Sequence, residues 1–226
     1  MVGALHGCDA VLHLAALPSP VGHPQEEVFA INVQGTFNIL EAAAMLGISR
    51  LVSISSSSAL GVAYSYQPVP LRYVPIDEAH PLLPQDAYGL SKQVGEDICR
   101  AFQRRTGGDA VSLRFPMIWD NYARPNDLAE LAQDERAGKQ TLWSYIQVDD
   151  AARACRLALE TAGLGAEAFF VTAPETFMDV PSADLARKYF PGIEVRGDEK
   201  GHWSFHDCSR AARMLGFTAE HLWSPR

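Results

Sequence analysis

The stretch DAVLHLAA at residues 9–16 decides the fold, because it is a short and nearly continuous apolar run. A second run at residues 51–54 (LVSI) leads into four serines, and residues 24–46 between the runs carry apolar side chains among helix formers up to Gly47. Such runs are typical of parallel strands buried on both faces, and glycine is common just past a helix C-terminus. The sequence therefore predicts a strand, a helix and a second strand.

The rest of the chain continues this alternation. The patterns predict a proline-rich loop at residues 67–85, helices near residues 88–105, 128–137, 149–162, 182–189 and 209–215, and strands at residues 110–115, 168–172 and 193–196. Alternation of this kind is typical of a parallel sheet covered by helices. We therefore predict an α/β fold.

The composition is that of an ordinary globular chain, with 226 residues, 47% hydrophobic and 20% charged. A net charge of -8 would repel phosphate backbones, so nucleic acid is not an expected partner. The four cysteines lie far apart without a CxxC pair, which predicts reduced thiols and a cytoplasmic location. No apolar stretch approaches bilayer length, so we expect no membrane partner.

Tyr88 and Lys92 stand four residues apart in the motif YGLSK, at the start of a predicted helix. Side chains at this spacing project from one face and can meet the same ligand. An ammonium held close to a phenol favours the phenolate, which would lower the tyrosine pKa toward neutral pH. The pair therefore suits proton transfer, although a solvent-exposed pair remains the alternative.

Further motifs occur in a fixed order around YGLSK: residues 9–16, NVQGTFN at 32–38, SSSSALG at 55–61 and LRFPMI at 113–118. This ordered set resembles the extended short-chain dehydrogenase/reductase family, the NAD-dependent epimerase/dehydratase group. The resemblance covers about residues 7–162 and includes YIQVDDAARA at 145–154. It implies a Rossmann-like doubly wound parallel sheet. Residues 1–162 would form a partial NAD(P)-binding Rossmann domain, and residues 163–226 a small α/β substrate-side region of the same domain.

The resemblance also implies roles for three polar residues. Tyr88 would be the acid/base that moves a proton on and off a substrate hydroxyl, and Lys92 would lower its pKa and bind the nicotinamide ribose. Ser56 would donate a hydrogen bond to the substrate oxygen as charge shifts. The alternative for Ser56 is an ordinary serine cluster after a strand, in which Ser55 or Ser57 could also take the position.

The cofactor implied by the resemblance is NAD or NADP, without a choice between the two. Leu14, Ala15 and Ala16 match the stretch whose backbone lines the dinucleotide, and Pro116 matches a position that touches the nicotinamide. Asn32 matches a family residue near the cofactor. For Asn32 and the alanines, packing in the core is the alternative.

Two departures from the family pattern bear on the reaction. Met117 stands where sugar-nucleotide enzymes of the family place an asparagine, and a methionine cannot make that hydrogen bond. Ser57 and Ser58 replace the Asp-Glu pair of the dehydratases, which disfavours elimination. The predicted function is NAD(P)-dependent oxidoreduction or epimerisation at a hydroxyl or carbonyl of a sugar, sugar acid or sugar-nucleotide-like compound. We expect a small carbohydrate-like substrate. The sequence leaves open whether the chain is a monomer or a homo-oligomer.

No glycine-rich phosphate-binding motif precedes the first predicted strand. By comparison with complete family members, we expect an N-terminal segment of roughly 50 to 60 residues to be missing, because each βαβ unit takes about 30 residues. The alternative function is a non-catalytic truncated remnant or binding module without a high-affinity cofactor site. An in-frame glycine-rich segment upstream of Met1 would favour the enzyme.

The motif HWSFHDC at residues 202–208 has a spacing that could hold zinc. The preferred interpretation is that Asp207 or Ser209 caps the helix that follows, since both residue types are common caps. We therefore expect no metal site.

Overall fold

The structure is a computed structural model that describes residues 1–198 and 200–223. In chain order its elements are α1 (Val2–Leu5), β1 (Val11–His13), α2 (Gln25–Met45), β2 (Arg50–Ser56), a 3₁₀ helix (Ser57–Leu60), β3 (Tyr73–Val74), α3 (Ala87–Thr106), β4 (Asp109–Phe115), β5 (Met117–Trp119), α4 (Asp127–Leu131), α5 (Glu135–Lys139), β6 (Tyr145–Gln147), α6 (Val148–Glu160), β7 (Ala168–Phe170), α7 (Ser182–Tyr189), β8 (Glu194–Val195) and α8 (Ser209–Leu215).

The main sheet has the strand order β1-β2-β4-β7, and all of its pairings are parallel. Val52 in β2 is aligned with Leu12 in β1 and with Val111 in β4. Long crossovers that contain helices join the strands, as parallel pairing requires. The predicted α/β, Rossmann-like doubly wound parallel sheet is confirmed.

Helices cover both faces of this sheet. Leu51 packs in a cluster with residues of α2 and α3, whereas its neighbour Val52 packs in a second cluster with residues of α6 and α8. Successive side chains of a strand point to opposite faces, so a strand between two helical layers must be apolar on both. This is why both Leu51 and Val52, neighbours in β2, are apolar.

Helix α3 begins where the sequence supplies an N-cap. The Asp86 carboxylate oxygen Oδ1 accepts a hydrogen bond from the Gly89 backbone N–H at 2.9 Å, and the helix starts at Ala87. It ends at Gly107, which has a φ of 73° that favours glycine. The cap places Tyr88 in the first turn, and Lys92 lies one turn further along.

The chain after residue 162 contributes to two layers. Strand β7 pairs with β4 in the main sheet, whereas β8 pairs with β3 in a separate two-stranded sheet. A further apolar cluster around Trp143, Phe177 and Phe205 also includes Phe170 of β7. Strand β7, which follows residue 162, thus belongs to the main sheet, and the division of the domain at residue 162 stays a prediction.

No helix in the described ranges 1–198 and 200–223 is long and apolar enough to cross a membrane.

Candidate active site

A cavity of about 600 Å³ opens at the carboxyl ends of the main strands. Its wall contains most of the residues that the sequence nominated: Leu14, Ala16, Ser56, Tyr88, Lys92 and Pro116. They meet because β1, β2 and β4 are parallel and end at one edge, beside the first turn of α3. Ligands of open α/β sheets bind at this edge. We call this space the reaction cavity.

Tyr88 is buried, with 8% of its surface exposed. Burial raises the pKa of the Tyr88 phenol to about 12, because it disfavours the charged phenolate, and the adjacent Ser56 side chain opposes this only in part. The sequence predicted a pKa lowered by Lys92. The structure gives the opposite direction because burial disfavours the phenolate more than the Ser56 side chain favours it. Tyr88 is therefore protonated at neutral pH and able to donate.

Lys92 lies beside the Tyr88 ring, with its Nζ 5.5 Å from the ring centroid. The Nζ donates a hydrogen bond to the Ile54 backbone carbonyl at 2.8 Å, which ties α3 to β2. Burial lowers the pKa of Lys92 to about 8, since the ammonium is partly stripped of water. An ammonium has three donors, so Lys92 can keep the Ile54 bond and still donate into the cavity.

Ser56 is the last residue of β2 and caps the 3₁₀ helix that follows. Its Oγ accepts a hydrogen bond from the Ser58 backbone N–H at 3.1 Å. A hydroxyl that already accepts in this way still has its own hydrogen to give. Ser56 can therefore donate to an oxygen in the reaction cavity, as the family resemblance implies.

The loop after β1 presents exposed backbone to this cavity. Leu14 is 61% exposed and lines the wall together with Ala16, whereas Ala15 is exposed but does not line it. Asn32 lies behind the loop: its Oδ1 accepts from the Leu17 N–H at 2.8 Å, and its Nδ2 donates to the Leu17 carbonyl at 3.1 Å. Asn32 therefore holds the loop in place and does not face the cavity.

Sequence reasoning missed several residues of the same wall. Tyr64 follows the serine motif, Arg124 precedes α4, and Gln140 and Thr141 follow α5. They come from segments that the sequence described only as loops or short helices. Side chains brought together by such segments give no periodic signal.

The turn that carries Gln140 and Thr141 is strained. Leu142 and Trp143 both have positive φ, at 54° and 51°, which side chains other than glycine rarely adopt. Each such residue costs on the order of 1–3 kcal/mol. Trp143 is fully buried, and its Nε1 donates to the Glu135 carbonyl at 2.8 Å. Burial of the indole thus holds this part of the wall in place.

The residues of the HWSFHDC motif are bonded within the fold. His206 Nδ1 lies 3.0 Å from Ser144 Oγ, and Cys208 Sγ lies 3.3 Å from Thr172 Oγ1. The Asp207 carboxylate accepts a hydrogen bond from the Ser209 N–H at 2.8 Å. The N-cap of α8 is Cys208, so Asp207 stabilises the start of the helix from the position before the N-cap. Across the described residues, no group of three or more potential metal ligands is found.

The profile of the NAD dependent epimerase/dehydratase family matches residues 1–171 of this chain. The chain belongs to that family. Among curated relatives of this epimerase/dehydratase chain, the uronate dehydrogenase of Pseudomonas syringae pv. tomato is 29% identical over 161 residues, 71% of the chain and 50% of the relative. The L-arabinose 1-dehydrogenase (NAD(P)(+)) of Haloferax volcanii is 33% identical over 116 residues, 49% of the chain and 45% of the relative. The chain spans about half the length of these relatives.

A solved structure of a short-chain dehydrogenase/reductase superfamily protein from Agrobacterium tumefaciens, with bound NAD, is 25% identical and superposes with a TM-score of 0.70. The match covers 98% of this chain and 77% of that one. The family predicted from the ordered motifs is thus confirmed, as are the Rossmann-like fold and the link to NAD-dependent dehydrogenases and epimerases.

The residues of the reaction cavity fit the nicotinamide and ribose end of such a cofactor. The exposed apolar surface of Leu14 and the ring of Pro116 suit a flat ring, and the hydroxyl and ammonium donors of Tyr88 and Lys92 suit ribose hydroxyls. Holding the cofactor there would put the reacting carbon of a substrate next to Tyr88 and Ser56.

Proposed function

We propose that this chain catalyses NAD- or NADP-dependent oxidation or reduction at a carbon–oxygen bond of a sugar or sugar acid, with Tyr88 as the acid/base. One observation carries the proposal: Ser56, Tyr88 and Lys92 converge on the wall of one cavity. The family adds weight, since its members named above act as dehydrogenases.

Tyr88 and Lys92 would hold the nicotinamide ribose of NAD(P), and the cofactor would supply the chemistry of hydride transfer when bound. Tyr88 gives its proton to the carbonyl oxygen in reduction and takes it from the hydroxyl in oxidation. Ser56 donates a hydrogen bond to the same oxygen, where negative charge develops. Lys92 supplies positive charge next to the phenol, which favours the phenolate when it forms.

The wall of the cavity favours a sugar or sugar acid over a sugar nucleotide. Met117 lines it and offers no donor to a diphosphate. Arg124 also lines it, with its Nε 3.4 Å from the Asp127 carboxylate, and it brings a cation to the wall that can meet a substrate carboxylate. The same reaction chemistry serves both oxidation and epimerisation.

The test is the turnover of wild type and Tyr88→Phe with NAD or NADP and with galacturonate, glucuronate, L-arabinose or UDP-glucose. We expect oxidation of a sugar or sugar acid, a rate that rises with pH because the Tyr88 phenol must lose its proton, and a loss on the order of 100-fold or more in Tyr88→Phe. Tyr64→Phe removes a hydroxyl from the same wall and should lose far less.

Equal turnover in Tyr88→Phe and wild type would refute the acid/base role. A wild-type chain that neither binds NAD(P) nor turns over any of these compounds would favour the non-catalytic alternative.

A further inference from the structure

A second cavity of about 870 Å³ adjoins the reaction cavity. Its wall comes from the loop after the 3₁₀ helix, the end of α5 and the residues that follow α7. The two cavities share Ala63, Tyr64 and Gln140, so they meet at these residues. We call the second space the outer chamber.

Tyr64 is the large, fixed side chain at this junction. Its ring meets the Tyr88 ring edge to face, with centroids 6.1 Å apart and an interplanar angle of 86°. Ser19, on the loop after β1, lies in the same wall of the reaction cavity. Ala63 contributes only a methyl group, and Gln140 is exposed. The Tyr64 ring therefore stands between the cavities and packs against Tyr88.

The outer chamber has the mixture of groups expected of a ligand pocket. Tyr189 and Phe190 supply aromatic surface, and Arg136 and Lys139 supply donors. Asp86 also lines it and is only 4% exposed; its Oδ2 has no hydrogen-bond partner among the described residues. Pockets for small molecules are of this size and combine apolar walls with a few polar groups. A second sugar ring would fit this chemistry.

We propose that Tyr64 is a specificity-determining residue that confines the substrate to one sugar unit, by closing the reaction cavity against the outer chamber. This inference rests on the proposed function for the class of substrate. Its physical basis is steric: a ring packed edge to face against Tyr88 blocks the path that a linked second sugar would take. Removal of the ring joins the two spaces and opens that path.

The experiment compares galacturonate with digalacturonate, which has the same reducing end and one further sugar unit. Dissociation constants are measured by calorimetry and kcat/KM by NAD(P)H absorbance, for wild type, Tyr64→Ala, Tyr64→Phe and Phe37→Ala. In Tyr64→Ala we expect the preference for galacturonate over digalacturonate to fall by about tenfold or more, in both measures. Tyr64→Phe keeps the ring and should keep the wild-type preference.

Phe37→Ala is the matched control, because it removes an exposed ring of α2 that lines neither cavity. It should leave the preference unchanged. Tyr64→Leu provides a second truncation if the alanine variant does not fold, as judged by circular dichroism.

An unchanged ratio of dissociation constants in a folded Tyr64→Ala or Tyr64→Leu variant would overturn the role of Tyr64. So would a wild type that binds both acids equally well. If wild type binds galacturonate but turns over none of the compounds tested above, the proposed function fails alone, and the dissociation constants still decide the role of Tyr64. A wild type that binds neither acid overturns the role of Tyr64, whereas turnover of the other compounds still decides the proposed function.

Discussion

Tyr88 and Lys92 carry pKa shifts of opposite sign that have the same cause. Burial raises the pKa of Tyr88 to about 12 and lowers the pKa of Lys92 to about 8, so it favours the neutral form of each. At neutral pH the Lys92 ammonium is charged and partly desolvated, which costs folding free energy. The site therefore keeps a destabilising group, to which the proposed function gives a chemical role.

The Lys92→Met variant should be more stable than wild type at pH 7, by on the order of 1 kcal/mol after the lost Ile54 bond is allowed for. The pKa of Lys92 is lower in the folded chain than the unfolded value of 10.5. The full free-energy cost of burying the charged ammonium therefore applies below about pH 8. Between about pH 8 and 10.5 the folded chain releases the proton first, and wild type gains stability as the pH rises. The advantage of Lys92→Met should therefore shrink over this range.

Urea unfolding of wild type, Lys92→Met and Lys92→Arg at pH 7 and pH 9.5 measures this difference. Lys92→Arg keeps a permanent cation and should show no gain. A Lys92→Met variant less stable than wild type at pH 7 would mean that the ammonium stabilises the fold.

The sequence predicted which residues meet at the site better than it predicted what each of them does. Strand ends and the first turn of a helix bring Ser56, Tyr88 and Lys92 together, and the motifs mark those positions. The direction of the Tyr88 pKa shift and the bonds of Asn32 to Leu17 depend on burial and on a loop conformation. Neither burial nor the loop conformation can be predicted from the spacing of residues in the sequence. The assignment of site residues to cofactor and substrate remains a prediction.

At the scale of elements, a buried ion pair joins β4, α3 and β2 behind the reaction cavity. Arg114 donates to both carboxylate oxygens of Glu96, through Nε and one terminal nitrogen, each at 2.8 Å. Ser55 Oγ donates to the same carboxylate at 2.7 Å. Ser55 precedes Ser56, so this network fixes the strand end that carries the proposed donor.

Arg114→Met should lower the free energy of unfolding by about 3–5 kcal/mol, because it leaves the buried Glu96 carboxylate with only the more distant and more exposed Arg100, at 3.7 Å. Arg156→Met removes the arginine of the exposed Arg156–Glu160 pair and should cost about 0–1 kcal/mol. Urea unfolding at pH 7 compares the two. Adding Glu96→Leu to Arg114→Met should recover part of the loss, since no charge then stays buried. Similar losses at both arginines would count against the network.

The helices and main strands could be predicted because their signals are local. Helix α7 at Ser182–Tyr189 and helix α8 at Ser209–Leu215 have the predicted bounds. The helix predicted at 128–137 is instead α4 and α5, since the Asp134 carboxylate accepts from the Arg136 N–H at 2.8 Å and starts a new helix.

The short strands could not all be predicted, because their pairing is not local. Tyr73 in β3 is aligned with Glu194 in β8, and Met117 in β5 with Tyr145 in β6. Strands of two or three residues have no periodicity of their own to detect. Strand β8 falls within the predicted run at 193–196, but β3, β5 and β6 were not predicted.

At the scale of the whole molecule, the parallel sheet has helices on both faces and, within the described residues, ends at β1 on one side and at β7 on the other. In the described part of the chain, β1 is the end strand of the main sheet and pairs with β2. Its residues Val11 and Leu12 are apolar. Edge strands with apolar side chains present free N–H and C=O groups that can pair with another chain.

The 226-residue chain should therefore self-associate through β1 as its concentration rises. Light scattering after gel filtration should show an apparent mass that increases toward that of a dimer or larger species. Hydrogen exchange localises the contact: amides in a peptide that covers β1 should exchange more slowly at high concentration, because pairing protects their outer edge. A peptide that covers β4 is the internal control, since β4 pairs with a strand on each side and should not change. A monomeric mass at all concentrations, with exchange in β1 that does not depend on concentration, would show that this edge does not recruit a partner strand.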